Sequence, residues 1–321
     1  MTNNNLIESK KVSLFKVYWD ILNAAFDPSR PLLAQIVITK RCNLSCGYCF
    51  EFDNFSSPVP LADLKKRIDE LKRLRVVFVT LNGGEPLLHP QVLELVAYIS
   101  KLGMIPMMNS NARVLTEELI IGLNKAGLFG IQISCDSLED NDITKKSMKR
   151  LLPKLDLLKK YAQIKVRING VLGSGPPQDV IEIAKIVTSF KFDFQCSLMR
   201  DAKGSALPFN QAEQDAFMEL RKMKGRLPAM LNDNFQLSLI KGENVDWKCR
   251  SGARYFHLDA EGLVHLCQPN TGTPAKRIED YNETDILNFF YMEKTCSKLC
   301  AHAYAHNGSK IDSFRFQNKA N

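Results

Sequence analysis

The run Ala34-Gln35-Ile36-Val37-Ile38-Thr39, followed after Lys40 by Arg41-Cys42-Asn43-Leu44-Ser45-Cys46-Gly47-Tyr48-Cys49, decides the reading of this chain. A β-branched run of this length reads as a buried strand. The loop at its end carries Cys42, Cys46 and Cys49, and strand ends are where βα proteins place their chemistry. Three close thiolates on one loop can cap three corners of a cubane iron–sulfur cluster. The usual electron-transfer cluster takes four cysteines, so a local set of three leaves one iron open to a substrate or cofactor. Zinc is the alternative, but it prefers four tetrahedral ligands, and no fourth Cys or His lies close by in the sequence.

Outward from this loop, short apolar runs alternate with amphipathic segments, as repeated βα units around a parallel sheet require. The spacing predicts further strands at Val76-Leu81, Met104-Asn109, Gly130-Cys135, Ile164-Val171 and Lys191-Leu198. Between them, Leu61, Leu64, Ile68, Leu71 and Leu74 follow Pro60 at helical spacing, and Val92, Leu95, Val96, Ile99 and Leu102 form a second stripe closed by Gly103. A third helix starts at Thr116, with Glu117 and Glu118 in its first turn, and stops near Gly127. Six such units fit an open doubly wound sheet or a partial barrel, and periodicity does not choose between them. After Met199 the rhythm changes. A charged helical stretch from Phe209 to Lys224 leads into a segment holding Cys249, Cys267, Cys296 and Cys300. Ahead of the first strand, Leu14, Val17, Tyr18, Ile21 and Leu22 predict a helix packed on the sheet.

The chain has 321 residues, 45% apolar and 24% charged, the composition of an ordinary folded protein. No stretch approaches the about 18 uninterrupted apolar residues of a membrane span, and Met1 to Lys11 is polar rather than a secretory signal, so the expected address is the cytoplasm. In that reducing compartment nine cysteines point to metal ligands or catalysis rather than disulfides. The net charge of +8 suits an anionic partner such as nucleic acid, an acidic lipid surface or a phosphorylated substrate. The clusters Lys65-Lys66-Arg67, Lys72-Arg73 and Arg221-Lys222-Lys224 read first as solvated helix faces.

CxxxCxxC with an aromatic before its last cysteine resembles the radical S-adenosylmethionine (SAM) superfamily, and the likeness runs across roughly residues 30–310. It implies a partial (βα)6 barrel, an α/β fold. The cofactors it implies are a 4Fe–4S cluster on Cys42, Cys46 and Cys49, and SAM, which the cluster cleaves to a hydrogen-abstracting 5′-deoxyadenosyl radical. An electron donor such as flavodoxin or ferredoxin is the implied partner. Asn82-Gly83-Gly84-Glu85-Pro86 resembles the family's GGEP segment, which implies that Gly83, Gly84 and Glu85 receive the methionyl ammonium of SAM; glycines allow close backbone approach and a carboxylate suits a cation. Tyr48 is the aromatic of the cysteine loop. Asn109, Ser134 and Asp136 match strand-end positions for polar groups on the ribose or carboxylate of SAM, and Lys145 or Lys146 for a cation on that carboxylate. Alternation along a strand points Ser134 and Asp136 one way and Cys135 the other, and Arg167 and Asn169 are expected to face the barrel interior.

Cys249, then Gly262, then Cys267, with Cys296-Ser297-Lys298-Leu299-Cys300 behind, resembles the SPASM/twitch auxiliary-cluster module. Four cysteines suit a second 4Fe–4S cluster of the shorter twitch type, since the full SPASM pattern has seven; a structural zinc is the alternative. Tyr255-Leu258 and Leu263-Leu266 read as a β-hairpin around Asp259-Ala260-Glu261-Gly262. His257 and His265 on it read as packing or surface residues, and His302 and His306 carry no assigned role. Cys135 and Cys196 are left over. A buried cysteine usually acts as a small hydrophobe; the sharper expectation is that one gives a hydrogen atom to a substrate radical.

The expected organisation is a helical extension at 1–32, a radical SAM core at 33–205, a linker helix at 206–240 and a small α+β cluster-binding domain at 241–321. The preferred substrate is a small molecule, a sugar, cyclitol or other metabolite, for oxidation or epimerisation. A ribosomally made peptide is the second choice, placed behind because the first strand begins near residue 33 and leaves no length for an N-terminal recognition domain. RNA modification and a non-catalytic metal-binding module complete the alternatives.

Overall fold

The computed structural model describes residues 12–49, 52–223 and 233–316. Residues 1–11 of the N-terminal extension and Lys224 of the basic cluster lie outside the described residues. Helix α1 (Leu14–Phe26) precedes β1 (Leu33–Thr39), and helices and strands then alternate: α2 (Leu61–Arg73), β2 (Phe78–Gly83), α3 (Val92–Lys101), β3 (Ile105–Ser110), α4 (Glu117–Ala126), β4 (Gly130–Ser134), α5 (Met148–Tyr161), β5 (Lys165–Leu172), α6 (Pro177–Ser189) and β6 (Asp193–Leu198). Local chemistry sets the boundaries. The Thr116 hydroxyl accepts from the Leu119 N–H at 3.2 Å to cap α4, and Gly127 ends that helix at a φ of 84°, in the left-handed region that favours glycine.

Each of these strands pairs in parallel with its sequence neighbour, in the order β6-β5-β4-β3-β2-β1. A doubly wound sheet would reverse its order at a switch point and cover both faces with helices. Here the order never reverses, so right-handed crossovers lay successive helices on one face, and the sheet is the partial barrel. Alternation sorts the side chains. Ile36, Ile38, Val79, Leu81, Ile131, Ile133 and Ile168 face outward into a core with Leu64, Ile68, Leu95, Ile99, Leu123 and Leu155 of the helices. The opposite face carries Gln35, Asn82, Asn109, Gln132, Ser134, Asn169 and Ser197, which line one open cavity. A polar strand face on a fully helix-backed sheet needs a ligand or water to satisfy it.

Residues 206–240, read as a linker helix, hold two packed helices. Ala216, Phe217 and Leu220 of α7 (Gln211–Met223) and Phe235, Leu239 and Ile240 of α8 (Asp233–Ile240) close a second core over Val180, Ile181, Ala184 and Leu198. Beyond them, β7 (Tyr255–Leu258) adds in parallel to the far edge of β1, with Leu33 opposite Tyr255 and Ile36 opposite Leu258. The expected hairpin forms with β8 (Leu263–Cys267), and β9 (Asn270–Arg277) adds a further antiparallel strand. The C-terminal strands thus continue the barrel sheet. Helices α9 (Glu283–Tyr291) and α10 (Ala303–Lys310) follow. The join is fixed by Arg254, whose Nε and Nη2 each donate to the Asp312 carboxylate at 2.8 Å, while Nη1 donates to the Asp27 and Arg30 carbonyls at 2.7 and 2.8 Å. Helix α1 seats Val17 and Ala24 on Val77 and Ile105. Among the described residues no helix is long and apolar enough to cross a membrane.

Candidate active site

The cysteine loop hangs from the end of β1 and is braced from β2. The Gly84 N–H donates to the Thr39 carbonyl at 2.9 Å and the Glu85 N–H to the Arg41 carbonyl at 2.8 Å. A Cβ on Gly84 would stand 2.2 Å from the Arg41 carbonyl oxygen, and one on Gly83 2.1 Å from that of Thr39. The two glycines are therefore required first by the approach of the cysteine loop itself. From across the barrel, the Gly47 N–H donates to the Ile143 carbonyl at 3.0 Å, and the Lys145 N–H reaches Cys46 Sγ at 3.3 Å. Asn111 Nδ2 donates to Asn43 Oδ1 at 2.8 Å and lies 3.7 Å from Cys42 Sγ.

Cys42, Cys46 and Cys49 all line a cavity of about 280 Å³ at the C-terminal ends of the strands, together with Tyr48, Gly83, Gly84, Asn109, Ser134, Asp136 and Lys146. Among the described residues no three His, Cys, Asp or Glu side chains converge as a single-ion site does. The donor set is instead three thiols of one loop facing a shared space, with N–H groups aimed at two of the sulfurs, which fits a thiolate-held cluster whose sulfurs accept hydrogen bonds. Burial pushes the Cys42 thiol up; a metal that takes this sulfur displaces its proton.

Beside the cysteines lies a closed polar knot. The Tyr48 hydroxyl donates to Asp136 Oδ2 and accepts from Lys146 Nζ at 2.8 Å, and the Thr144 hydroxyl donates to the same carboxylate oxygen at 3.2 Å. Burial pushes the Asp136 carboxyl up, against the pull of Lys146 and of the Tyr48 hydrogen bond. Burial would also lower Lys146, but the oxygens of Tyr48 and Asp136 outweigh it and hold the ammonium well above its usual range. Burial raises the Tyr48 phenol as well, so it stays protonated. Asp136 Oδ1 is buried and has no hydrogen-bond partner among the described residues. An orphaned acceptor on a cavity wall is the position a bound donor would occupy.

Two sequence-based expectations are corrected here. Glu85 does not face the cavity: it is fully buried, and its carboxylate accepts from the Leu87 N–H at 3.1 Å, the Ser110 hydroxyl at 2.7 Å and the Asn111 N–H at 2.6 Å. These three hydrogen bonds tie its side chain to the end of β3 and to the turn after β2, so it braces the site from behind. Cys135 and Cys196, expected as hydrogen donors, also lie off the cavity. Cys135 is in the core between sheet and helices, and Cys196 is in the core under α7 and α8. A hydrogen donor has to reach the substrate, and the alternation that points Ser134 and Ser197 inward turns both thiols outward.

The four C-terminal cysteines also gather. Cys249, Cys267 and Cys300 are buried and Cys296 is exposed. Burial, reinforced by the other cysteines of the group, pushes the Cys267 thiol up to about 12 and the Cys300 thiol up to about 11. The Cys296–Cys300 turn is pinned to the segment after β6: Ala206 N–H donates to the Leu299 carbonyl and Ala301 N–H to the Gly204 carbonyl, each at 2.9 Å. His257 and His265 face each other across the hairpin, with His265 Nε2 2.7 Å from Asp259 Oδ2. His306 is stacked on Phe235 at 3.5 Å between ring centroids.

Sequence reasoning missed several cavity residues: Gln35, Gln132, Ser197, Arg200, Gln268, His302 and Tyr304. For the strand residues the alternation that placed Ser134 would have found them. Arg167 shares the inward face of β5 with Asn169 and pairs with Gln132, as expected, but it is exposed below the cavity, with Nη1 3.4 Å from Gln195 Oε1. The C-terminal residues enter only through the fold. Tyr304, four residues after Cys300, donates its hydroxyl to Asn109 Oδ1 at 2.8 Å. Burial keeps His302 well below the usual histidine range, hence neutral.

Residues 36–187 match the model of the Radical SAM superfamily. Among curated proteins, the PqqA peptide cyclase of Bradyrhizobium diazoefficiens is 34% identical over 113 residues, which is 34% of this chain and 30% of that protein. The GTP 3′,8-cyclase of Chlorobaculum tepidum is 29% identical over 154 residues, 46% of this chain and 47% of that protein. The chain thus matches only about a third to a half of the length of these relatives. Among solved structures, Streptococcus suis SuiB bound to its precursor peptide SuiA superposes with a TM-score of 0.61 at 17% identity, covering 90% of this chain and 72% of SuiB. The anSMEcpe structure with bound AdoMet and the Cp18Cys peptide gives 0.59 at 13% identity, covering 89% of this chain and 97% of that one. At such identities the likeness is one of fold.

Proposed function

We propose, from the match of residues 36–187 to the Radical SAM superfamily model, that this chain is a radical SAM enzyme that abstracts a hydrogen atom from a residue of a peptide. The single observation that carries the chemistry is the common cavity of Cys42, Cys46, Cys49, Asp136 and Lys146. A 4Fe–4S cluster and SAM, when bound, supply the 5′-deoxyadenosyl radical. The chain's part is to hold and orient them: the three thiols take the cluster, Lys146 offers its ammonium to the methionyl carboxylate, and the unpartnered Oδ1 of Asp136 accepts from the ribose or the ammonium. Gly83 and Gly84 line the same wall with bare backbone. Val171, Leu198 and Met199 line the cavity as its apolar part and keep water from the radical. Cys249, Cys267, Cys296 and Cys300 are suited to an auxiliary cluster that takes up an electron from the substrate radical or steadies the adjoining cavity wall.

The preference for a metabolite-sized substrate drawn from sequence yields to the peptide. What supports the change is that PqqA peptide cyclase stands among the relatives and two peptide-bound structures among the neighbours. The likeness to a GTP 3′,8-cyclase favours the second reading, a small-molecule substrate. The test is isotope transfer. The reconstituted enzyme, SAM and dithionite are incubated with the peptide fraction of source cells grown on deuterated amino acids. The reading expects deuterium in 5′-deoxyadenosine, abolished when the fraction is first digested to free amino acids. Label arriving only from the small-molecule fraction would establish the second reading instead.

A further inference from the structure

We propose that Arg200 forms a carboxylate-binding subsite for the substrate, taking an Asp or Glu side chain or the C-terminus of the peptide; this rests on the peptide reading above. Arg200 follows β6 directly, and strand ends on this side of the sheet carry the cavity's other polar groups. Arg200 is one of the residues lining the cavity, and its guanidinium is anchored among the described residues at one corner, by Nη2 donating to Gln268 Oε1, itself a lining residue.

The charges of the cavity wall decide what that guanidinium is for. Lys146 Nζ donates to the Tyr48 hydroxyl, which in turn donates to Asp136 Oδ2, so this ammonium already belongs to the knot beside the cysteines. The Tyr304 hydroxyl donates to Asn109 Oδ1 at 2.8 Å. Glu85 faces away. That leaves Arg200 as a partly buried cation with no ion pair among the described residues. Two of its edges keep N–H groups free for a planar, two-oxygen acceptor, the geometry in which arginine binds carboxylates best. Its surroundings suit a peptide. Asn169 and Ser197, joined by a 2.7 Å hydrogen bond, and the Gln268 amide are neutral groups able to read backbone amides.

A carboxylate in this cavity has two sources, the substrate and SAM itself. Lys146 is bonded to Tyr48 of the cysteine loop after β1, whereas Arg200 follows β6, five strands away at the edge of the sheet, and is bonded to Gln268 of the C-terminal segment. The position of Arg200 thus assigns it to the substrate.

The test presents a displayed library of random octapeptides to the anaerobically reconstituted, full-length enzyme with SAM, and compares the wild type with Arg200→Gln and Arg200→Glu. SAM affinity by equilibrium dialysis and iron per chain are measured on each. The proposal expects an acidic residue or free C-terminus enriched at one position by the wild type, its loss in Arg200→Gln, and basic residues selected by Arg200→Glu. Loss of one charge-assisted contact weakens a resynthesised acidic peptide by roughly ten- to a hundredfold. SAM affinity and iron content stay at wild-type values. A peptide consensus without an acidic group, indifferent to Arg200→Gln, overturns the subsite and leaves the peptide reading standing. Weakened SAM binding in Arg200→Gln assigns the residue to SAM and overturns it; iron lost in both variants reduces Arg200 to charge balance for the cysteines and overturns it too. Failure of the wild type to select any peptide overturns the peptide reading and the subsite with it.

Discussion

Gly84→Ala should unseat the cysteine loop, because the obstacle is backbone that has nowhere to go. The added Cβ would stand 2.2 Å from the Arg41 carbonyl oxygen, 2.5 Å from its carbon and 2.6 Å from the Lys40 carbonyl oxygen. Relief requires the loop to withdraw by about an ångström. That withdrawal breaks the Gly84-to-Thr39 and Glu85-to-Arg41 hydrogen bonds, each worth about 1 kcal/mol. Residual crowding adds about 1–3 kcal/mol, for a total cost of about 3–5 kcal/mol. In a chain of this size that is a fall of about 4–8 °C in Tm. Gly272→Ala is the matched control. Its φ of 90° is as unfavourable to alanine as that of any glycine in a left-handed turn, yet nothing lies within 4 Å of the added Cβ. Only the backbone term applies, about 1–2 kcal/mol, or about 2–3 °C. Both variants are melted after anaerobic reconstitution, with iron counted beforehand. Gly84→Ala should lose stability and iron, and Gly272→Ala should keep its iron. A Gly84→Ala protein that melts with the wild type and carries full iron would refute the claim that this glycine exists to admit the cysteine loop.

Acid should destabilise the fold through its buried histidines, His257, His302 and His306 foremost. Burial holds His257 down to about 4 and His306 to about 3, so below about pH 6.5 the unfolded chain takes up protons that the folded one refuses. Stability is complete well above pH 6.5 and lost as pH falls toward those folded values, by about 2 kcal/mol per histidine in all by pH 5; His306→Phe, which keeps the stack on Phe235, should remove about a third of that loss in denaturant titrations at each pH. Glu85→Gln should cost about 1–3 kcal/mol, because an amide cannot accept at both oxygens and the Asn111 N–H, now 2.6 Å from Oε2, loses its acceptor; faster hydrogen exchange at Asn111 would report it, and unchanged exchange would contradict it. Cys135→Ala should leave SAM cleavage and product formation unchanged while lowering stability by about 1 kcal/mol; product lost with SAM cleavage intact would return the thiol to the chemistry.

The barrel was legible because its signals are local. Apolar runs marked the strands, Thr116 and Gly127 marked the ends of one helix, and the spacing of Cys42, Cys46 and Cys49 marked the site. Choosing a partial barrel over an open doubly wound sheet required the strand order, which periodicity does not encode. The addition of β7 to β1 joins residues more than 200 positions apart, and no local pattern announces such a pairing. Glu85 was misread for a related reason: a carboxylate beside two glycines suggests a ligand, but its oxygens are claimed by Ser110 and Asn111, whose positions follow from the end of β3. Alternation placed Cys135 opposite Ser134, and the same rule applied to Cys196 beside Ser197 would have removed it from the catalytic candidates. Arg200, Gln268 and Tyr304 belong to the cavity only because the C-terminal segment folds back over the strand ends.

The most direct measurement of the central claim is anaerobic reconstitution with iron and sulfide, followed by an iron count and a dithionite-driven assay for 5′-deoxyadenosine from SAM. The account predicts about eight irons per chain, as two 4Fe–4S clusters require, and 5′-deoxyadenosine that disappears with Cys46→Ala. Zinc bound in place of iron, with SAM left intact by the wild-type protein, would contradict it.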